Sequence, residues 1–223
     1  MMNTPIFNQA DPKWADKKLL PTNLTMRRWG CYITSLSSML HNFAKELDPG
    51  QVLDKLIEVN GISTDGLLTY DGVMRAFPDL YFNTRAYTSN DPSAHLQKMP
   101  VDVALDRVAR LLYLGQPTIL CVDNLYNDRI PDHAILATDT KRNLGKITDF
   151  RVMDPDGGHD RWFSEKYGPL RENLYGYVSI IGPPVWFPED SDPKAGSALW
   201  KAAEIKQGHS VETYAREILD TLL

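Results

Sequence analysis

Cys31 stands in the run W-G-C-Y-I-T-S-L-S-S-M-L, where a loop gives way to an amphipathic pattern. A thiol at a helix N-terminus faces backbone N–H groups without intrahelical partners and the positive end of the helix dipole. Both favour the thiolate, the nucleophilic form of cysteine. Such a nucleophile needs a base to take its proton, a group to orient that base, and donors for a developing oxyanion. His133 opens the β-type run H-A-I-L-A-T, from which its ring can project towards the Cys31 helix. Asp154 follows 21 residues later. That is the length of one strand, a turn and a second strand, which sets Asp154 beside His133 in a hairpin. A carboxylate accepting the second ring N–H would fix the tautomer and stabilise the imidazolium. Asp132 adjoins the histidine but points to the other face of a regular strand, while Asp139 and Asp149 fall in the intervening turn region. Gln9, in F-N-Q-A-D-P-K-W, offers an amide donor for the oxyanion, and the backbone N–H of Cys31 offers another. Taken on its chemistry alone, Gln9 reads as a surface glutamine.

The elements that must position these groups follow from spacing. Residues 3–30 read as a loop-rich opening with Pro5, Pro12 and Pro21. From Cys31, the residues Ile33, Leu36, Leu40, Phe43 and Leu47 recur at three- and four-residue steps, which predicts a helix over about 31–46. Asp48-Pro49-Gly50-Gln51 has the form of a helix start, with Asp as cap, Pro in the first turn and Gln three residues after the cap. Val52, Leu53, Leu56 and Ile57 give that helix its apolar face, and Gly61 suits its stop. A short helix falls near Tyr70–Phe77, and residues 79–100 read as variable loop with one strand. Val101, Ala104, Leu105, Val108, Leu111 and Leu112 mark a further helix, ended by Gly115 and Pro117. Thereafter the pattern turns to short β-type runs, T-I-L-C-V, H-A-I-L-A-T, D-F-R-V-M-D and L-Y-G-Y-V-S-I-I, separated as in an antiparallel meander. Helices first and strands second imply an α+β domain, its N-terminal helices packed on an antiparallel sheet.

Composition narrows the function classes. The 223 residues are 43% hydrophobic and 24% charged, with formal net charge −5, which gives no electrostatic footprint for nucleic acid or an anionic membrane. No apolar run reaches the roughly 18–20 residues of a membrane span, and the N-terminus lacks the pattern of a secretory signal. Two cysteines do not make a disulfide scaffold; Cys121, inside T-I-L-C-V, reads as structural. No metal or cofactor is expected. The histidines 41, 95, 159 and 209 have no zinc-ligand spacing, His41 reads as a surface residue, and D-P-D-G-G-H-D (154–160) lacks the calcium-loop pattern and reads as a tight turn. Arg27 and Arg28 are open to either solvent or an acidic substrate group.

Q-A-D-P-K-W, W-G-C-Y-I-T-S-L-S-S-M-L, D-H-A-I-L-A-T and V-M-D-P, in that order, resemble the papain-like peptidases that process bacteriocin leaders, and more closely their free-standing branch. The likeness spans roughly residues 5–182. It implies a papain-like cysteine peptidase fold, Cys31 as nucleophile, His133 as general base and acid, Asp154 as orienter and Gln9 as oxyanion donor. The 79–100 region and Arg27-Arg28 depart from the family pattern, so substrate identity does not carry over. The division expected is a peptidase domain over 1–182, a Pro-rich linker over 183–197 and a helical tail over 198–223. The tail's E-I-K-Q-G-H-S-V-E-T-Y-A resembles the opening of a glycan-binding lysin motif, with His209 in place of its Asp. Linker and tail together resemble phage endolysins. The resulting expectation is a peptidase of bacterial peptidoglycan peptides, made in the cytoplasm and released to the wall at lysis. The alternatives are a cytoplasmic or injected peptidase of polypeptides, and a non-catalytic papain-fold binding protein.

Overall fold

Capping chemistry and apolar spacing set the helices, and short β-branched runs set a single sheet. The computed structural model describes residues 4–92, 97–124 and 132–181. The expected linker and tail, together with His95 and His209, lie outside the described residues. In chain order the elements are α1 (Met26–Trp29), α2 (Cys31–His41), α3 (Pro49–Glu58), α4 (Tyr70–Ala76), β1 (Tyr81–Thr88), β2 (Lys98–Met99), α5 (Val101–Tyr113), β3 (Thr118–Val122), β4 (His133–Asn143), β5 (Lys146–Asp154), β6 (His159–Trp162), α6 (Phe163–Tyr167), α7 (Leu170–Asn173) and β7 (Gly176–Ile181).

The nucleophile helix is shorter than its apolar spacing suggests. α2 ends at His41, and Ala44 then takes a left-handed φ of 56°. Phe43 and Leu47 therefore reach the same core from the turn beyond the helix, where the periodicity continues by coincidence of packing. The start of α3 has the expected reciprocal cap: the Gln51 N–H donates to Asp48 Oδ1 and the Asp48 N–H to Gln51 Oε1, both at 2.9 Å. Its stop differs. Asn60, not Gly61, takes the left-handed φ of 52°. Gly61 instead lets α4 approach, since a Cβ on Gly72 would lie 2.2 Å from the Gly61 Cα.

The fold is α+β, built on a seven-stranded sheet in the order β2-β1-β7-β3-β4-β5-β6, antiparallel except for the β1–β2 pair. Only β3 to β6 form the expected meander. β7 returns through α6 and α7 to lie between β3 and β1, and the 79–100 region supplies β1 and β2 rather than a single strand. Helices cover both faces. Ile33, Leu36 and Leu40 of α2 pack on Ile119, Leu136 and Val178. Leu105, Val108 and Leu112 of α5 pack on Leu120, Ile135 and Val152 from the other side. This explains why T-I-L-C-V is apolar throughout instead of alternating: both of its faces are covered. Burying these side chains at about 1.5–3 kcal/mol each supplies the main force that holds α2 against the sheet.

Candidate active site

Cys31 is the first residue of α2 and is half-buried. Gly30 separates α1 from α2, and its N–H donates to the Met26 carbonyl at 2.8 Å. A Cβ at Gly30 would lie 2.5 Å from that oxygen and 2.8 Å from Met26 Sδ, so only glycine lets the two helices meet closely at the nucleophile. One turn further along α2, and on the same side as Cys31, the buried Ser35 hydroxyl donates to the Ala134 carbonyl at 3.1 Å. Ala134 follows His133, so this bond staples the thiol's helix to the histidine's strand.

His133 begins β4 and is 6% exposed, while Asp154 ends β5 and is fully buried. The hairpin register expected from their spacing brings them together: His133 Nε2 lies 3.0 Å from Asp154 Oδ1. Cys31 lies within electrostatic reach of the same imidazole, so thiol and carboxylate both act on one ring. Burial alone would depress His133, but the hydrogen bonds to Asp154 and Cys31 and the charges on both outweigh it and push the imidazole up to about 9. Burial likewise works against ionised Asp154, yet His133 and Lys166 hold its carboxyl well below the usual carboxylate range.

Asp154 is a hub. Beyond His133, it accepts from the Asp156 N–H at 3.0 Å, from Lys166 Nζ at 2.9 Å and from the Tyr167 hydroxyl at 2.9 Å. Lys166 Nζ also donates to Asp156 at 2.9 Å, and the Tyr167 ring lies 6.2 Å from that of His133. Buried Asp149 fastens the start of α6 to β5 by accepting from the Ser164 N–H and hydroxyl, which places Lys166 and Tyr167 over the hub. Sequence reasoning missed Ser35, Lys166 and Tyr167. A serine four residues after Cys31, on a helix side it shares with Thr34 and Ser38, was a usable signal for the first. The other two are brought in by a one-and-a-half-turn helix with no periodicity to mark it.

The other acids are engaged elsewhere. Asp132 accepts from the Asn124 N–H at 2.8 Å, and Asp139 from the Thr140 N–H at 2.7 Å. Gln9 is buried rather than a surface residue, 7% exposed. Its N–H donates to the Pro155 carbonyl at 2.9 Å and its amide to the Arg27 carbonyl at 2.8 Å. It thereby links the residue after Asp154 to α1, which leads into Cys31, and among the described residues uses one of its two amide hydrogens. His41 is half-buried, not on the surface, its ring 5.6 Å from that of Phe7. D-P-D-G-G-H-D is the tight turn between β5 and β6, with Gly157 and Gly158 at φ 81° and 67°. Cys121 is half-buried in β3, and burial pushes its thiol up to about 11. Among the described residues no group of three His, Cys, Asp or Glu side chains is placed to hold a metal, and no helix is long and apolar enough to cross a membrane.

No protein-family model and no curated protein matches the chain. A solved structure of a candidate C39-like peptidase from Bacillus anthracis is similar over 82% of this chain and 97% of that one, at 11% identity and a TM-score of 0.48.

Proposed function

We propose that the chain is a cysteine peptidase in which Cys31 attacks a peptide carbonyl. The observation that carries this reading is the buried His133–Asp154 pair at 3.0 Å, with Cys31 at the head of α2 within electrostatic reach of the same imidazole. His133 takes the thiol proton and, as an imidazolium, returns it to the departing amine; water then attacks the thioester with the imidazole as base. Asp154 fixes the ring with Nε2 towards itself, leaving Nδ1 for the sulfur, and its charge stabilises the imidazolium. The Cys31 N–H and the remaining Gln9 amide hydrogen are the candidate oxyanion donors. A half-buried sulfur at the sheet's end, beside fully buried partners, suits a substrate that arrives from solvent.

The substrate we infer is a peptide of the bacterial wall, supported by the tail's sequence likeness to a glycan-binding repeat. Purified walls from several bacterial types, incubated with wild type, Cys31→Ala and His133→Ala, should release new amino termini only with wild type. Release of new termini from casein but from no wall would replace the wall reading with a polypeptide one. Activity of Cys31→Ala on either substrate would overturn the mechanism.

A further inference from the structure

The sheet face that carries α2 ends in a row whose last three members, towards the nucleophile's side, are small. Tyr87 of β1 pairs with Gly176 of β7, Gly176 with Cys121 of β3, and Cys121 with Ala134 of β4. Directly opposed residues share a face, so the row runs tyrosine, glycine, cysteine, alanine and stops one residue from His133. A Cβ at Gly176 would lie 2.6 Å from the Ala86 carbonyl oxygen, so that position stays bare.

Two residues back along β1, on the same face, is Arg85. Its guanidinium carbon lies 4.8 Å from the centre of the Tyr87 ring and 5.5 Å from that of Tyr70. Tyr70 and Arg85 also lie within electrostatic reach of each other. Tyr32, the residue after Cys31, closes the group, with a buried hydroxyl that has no hydrogen-bond partner among the described residues. Tyr32 and Cys121 each lie within electrostatic reach of both Cys31 and Arg85.

Arg85 is exposed, and among the described residues it forms no salt bridge with a carboxylate. The groups around it are phenols and a thiol, neutral near pH 7: burial pushes Tyr70 up to about 12 and Cys121 up to about 11. The acid of this neighbourhood, Asp91, is 3% exposed in the turn after β1. A guanidinium set against two tyrosine rings on an exposed residue, with Tyr32 and Cys121 linking it to the nucleophile, offers a planar fork to an incoming carboxylate.

We propose that Arg85, framed by Tyr70 and Tyr87, is an anion subsite that holds a carboxylate of the substrate beside Cys31. Naming the ligand as part of a peptide rests on the peptidase reading above; the anion site itself does not. The carboxylate belongs either to an Asp or Glu side chain or to a free chain terminus.

Two experiments on the full chain separate these statements. The first alkylates Cys31 with iodoacetate and with iodoacetamide, reagents that differ in charge, and follows the Cys31 peptide by mass. The iodoacetate-to-iodoacetamide rate ratio should fall about fivefold at low ionic strength in Arg85→Gln and be kept in Arg85→Lys. A ratio unchanged in Arg85→Gln overturns the subsite. A Cys31 that resists both reagents overturns the subsite and the peptidase reading together.

The second digests a peptide library that pairs Glu with Gln at each position and free with amidated carboxyl ends. Wild type should favour a carboxylate at one position by about tenfold, and Arg85→Gln should lose that preference. Preference confined to free ends assigns the terminal carboxylate; preference for Glu assigns the side chain. Cleavage without acidic preference, or a preference that survives Arg85→Gln, overturns the subsite and leaves the peptidase reading standing. Absence of any cleavage, of the library, of casein and of purified walls alike, together with a lowered alkylation ratio overturns the peptidase reading and leaves the anion site.

Discussion

Asp154→Asn removes a charge that four donors share, and the structure sets the size of the effect. An asparagine presents N–H groups where Lys166 and Tyr167 now donate, so the carboxamide satisfies at most part of the hub. Breaking a buried, hydrogen-bonded ion pair costs about 3–5 kcal/mol. The histidine gives an independent figure. His133 rises from 6.5 to about 9 in the fold through Asp154 and Cys31 together, and at 1.36 kcal/mol per pH unit that sets an upper limit of about 3 kcal/mol on Asp154's part. For a domain of this size 1 kcal/mol shifts the melting temperature by about 2–4 °C, so Asp154→Asn should melt about 6–12 °C below wild type near pH 6. The sign with pH follows from the raised histidine. Its contribution is complete below the unfolded value of about 6.5 and is lost as pH rises through about 9. The gap between variant and wild type should therefore narrow between about pH 6 and pH 10. Thermal unfolding followed by circular dichroism across that range measures it. On turnover, the alkaline limb of the wild-type profile should lie near pH 9 and move to lower pH in the variant. A melting gap under about 2 °C, or one that stays constant to pH 10, would refute the account of Asp154 as the charged anchor of His133.

Four further outcomes are expected. Iodoacetamide should modify Cys31 and spare Cys121, whose thiol burial pushes up to about 11; equal modification would break the assignment. Gln9→Ala should lower kcat by roughly 10²–10³ with little change in KM, whereas a change in KM alone would make it a substrate-binding residue. Ser35→Ala should cost about 1 kcal/mol of stability, measured by urea unfolding, and also lower kcat, since it unpins α2 from β4. Gly30→Ala should cut turnover more than tenfold because Met26 leaves no room for a methyl group; full activity would show that the α1–α2 junction does not set the thiol's position.

Much of the scaffold was legible because its signals are local. The Asp48–Gln51 cap, the apolar stripe of α5 and the runs that become β3, β4 and β5 each lie within a few residues. The His133–Asp154 pairing was legible because a hairpin converts sequence spacing into contact. What escaped depends on distant packing. Nothing near Gly176 marks β7 as the strand that returns to lie beside β3, and nothing near Arg85 marks β1 as its neighbour. Gln9 looked like a surface residue because its partners, Arg27 and Pro155, sit on separate segments. Ala44 and Asn60, non-glycine residues with positive φ, ended helices where residue type gave no warning.

The place of β7 has a consequence for how the chain comes into being. Among the described residues it is the last strand made, yet it lies between β1 and β3, so until residues 176–181 are made the described sheet has only two separate parts, β2-β1 and β3 to β6. Each fragment has an unpaired backbone edge, and α2 lacks Val178 and Ile180 to pack against. Closure of contacts so distant in sequence is slow. A nascent chain thus carries Cys31, and from residue 133 onward His133 as well, without the β7 surface that holds α2 against the sheet, and the two settle into place only once residues 176–181 are made.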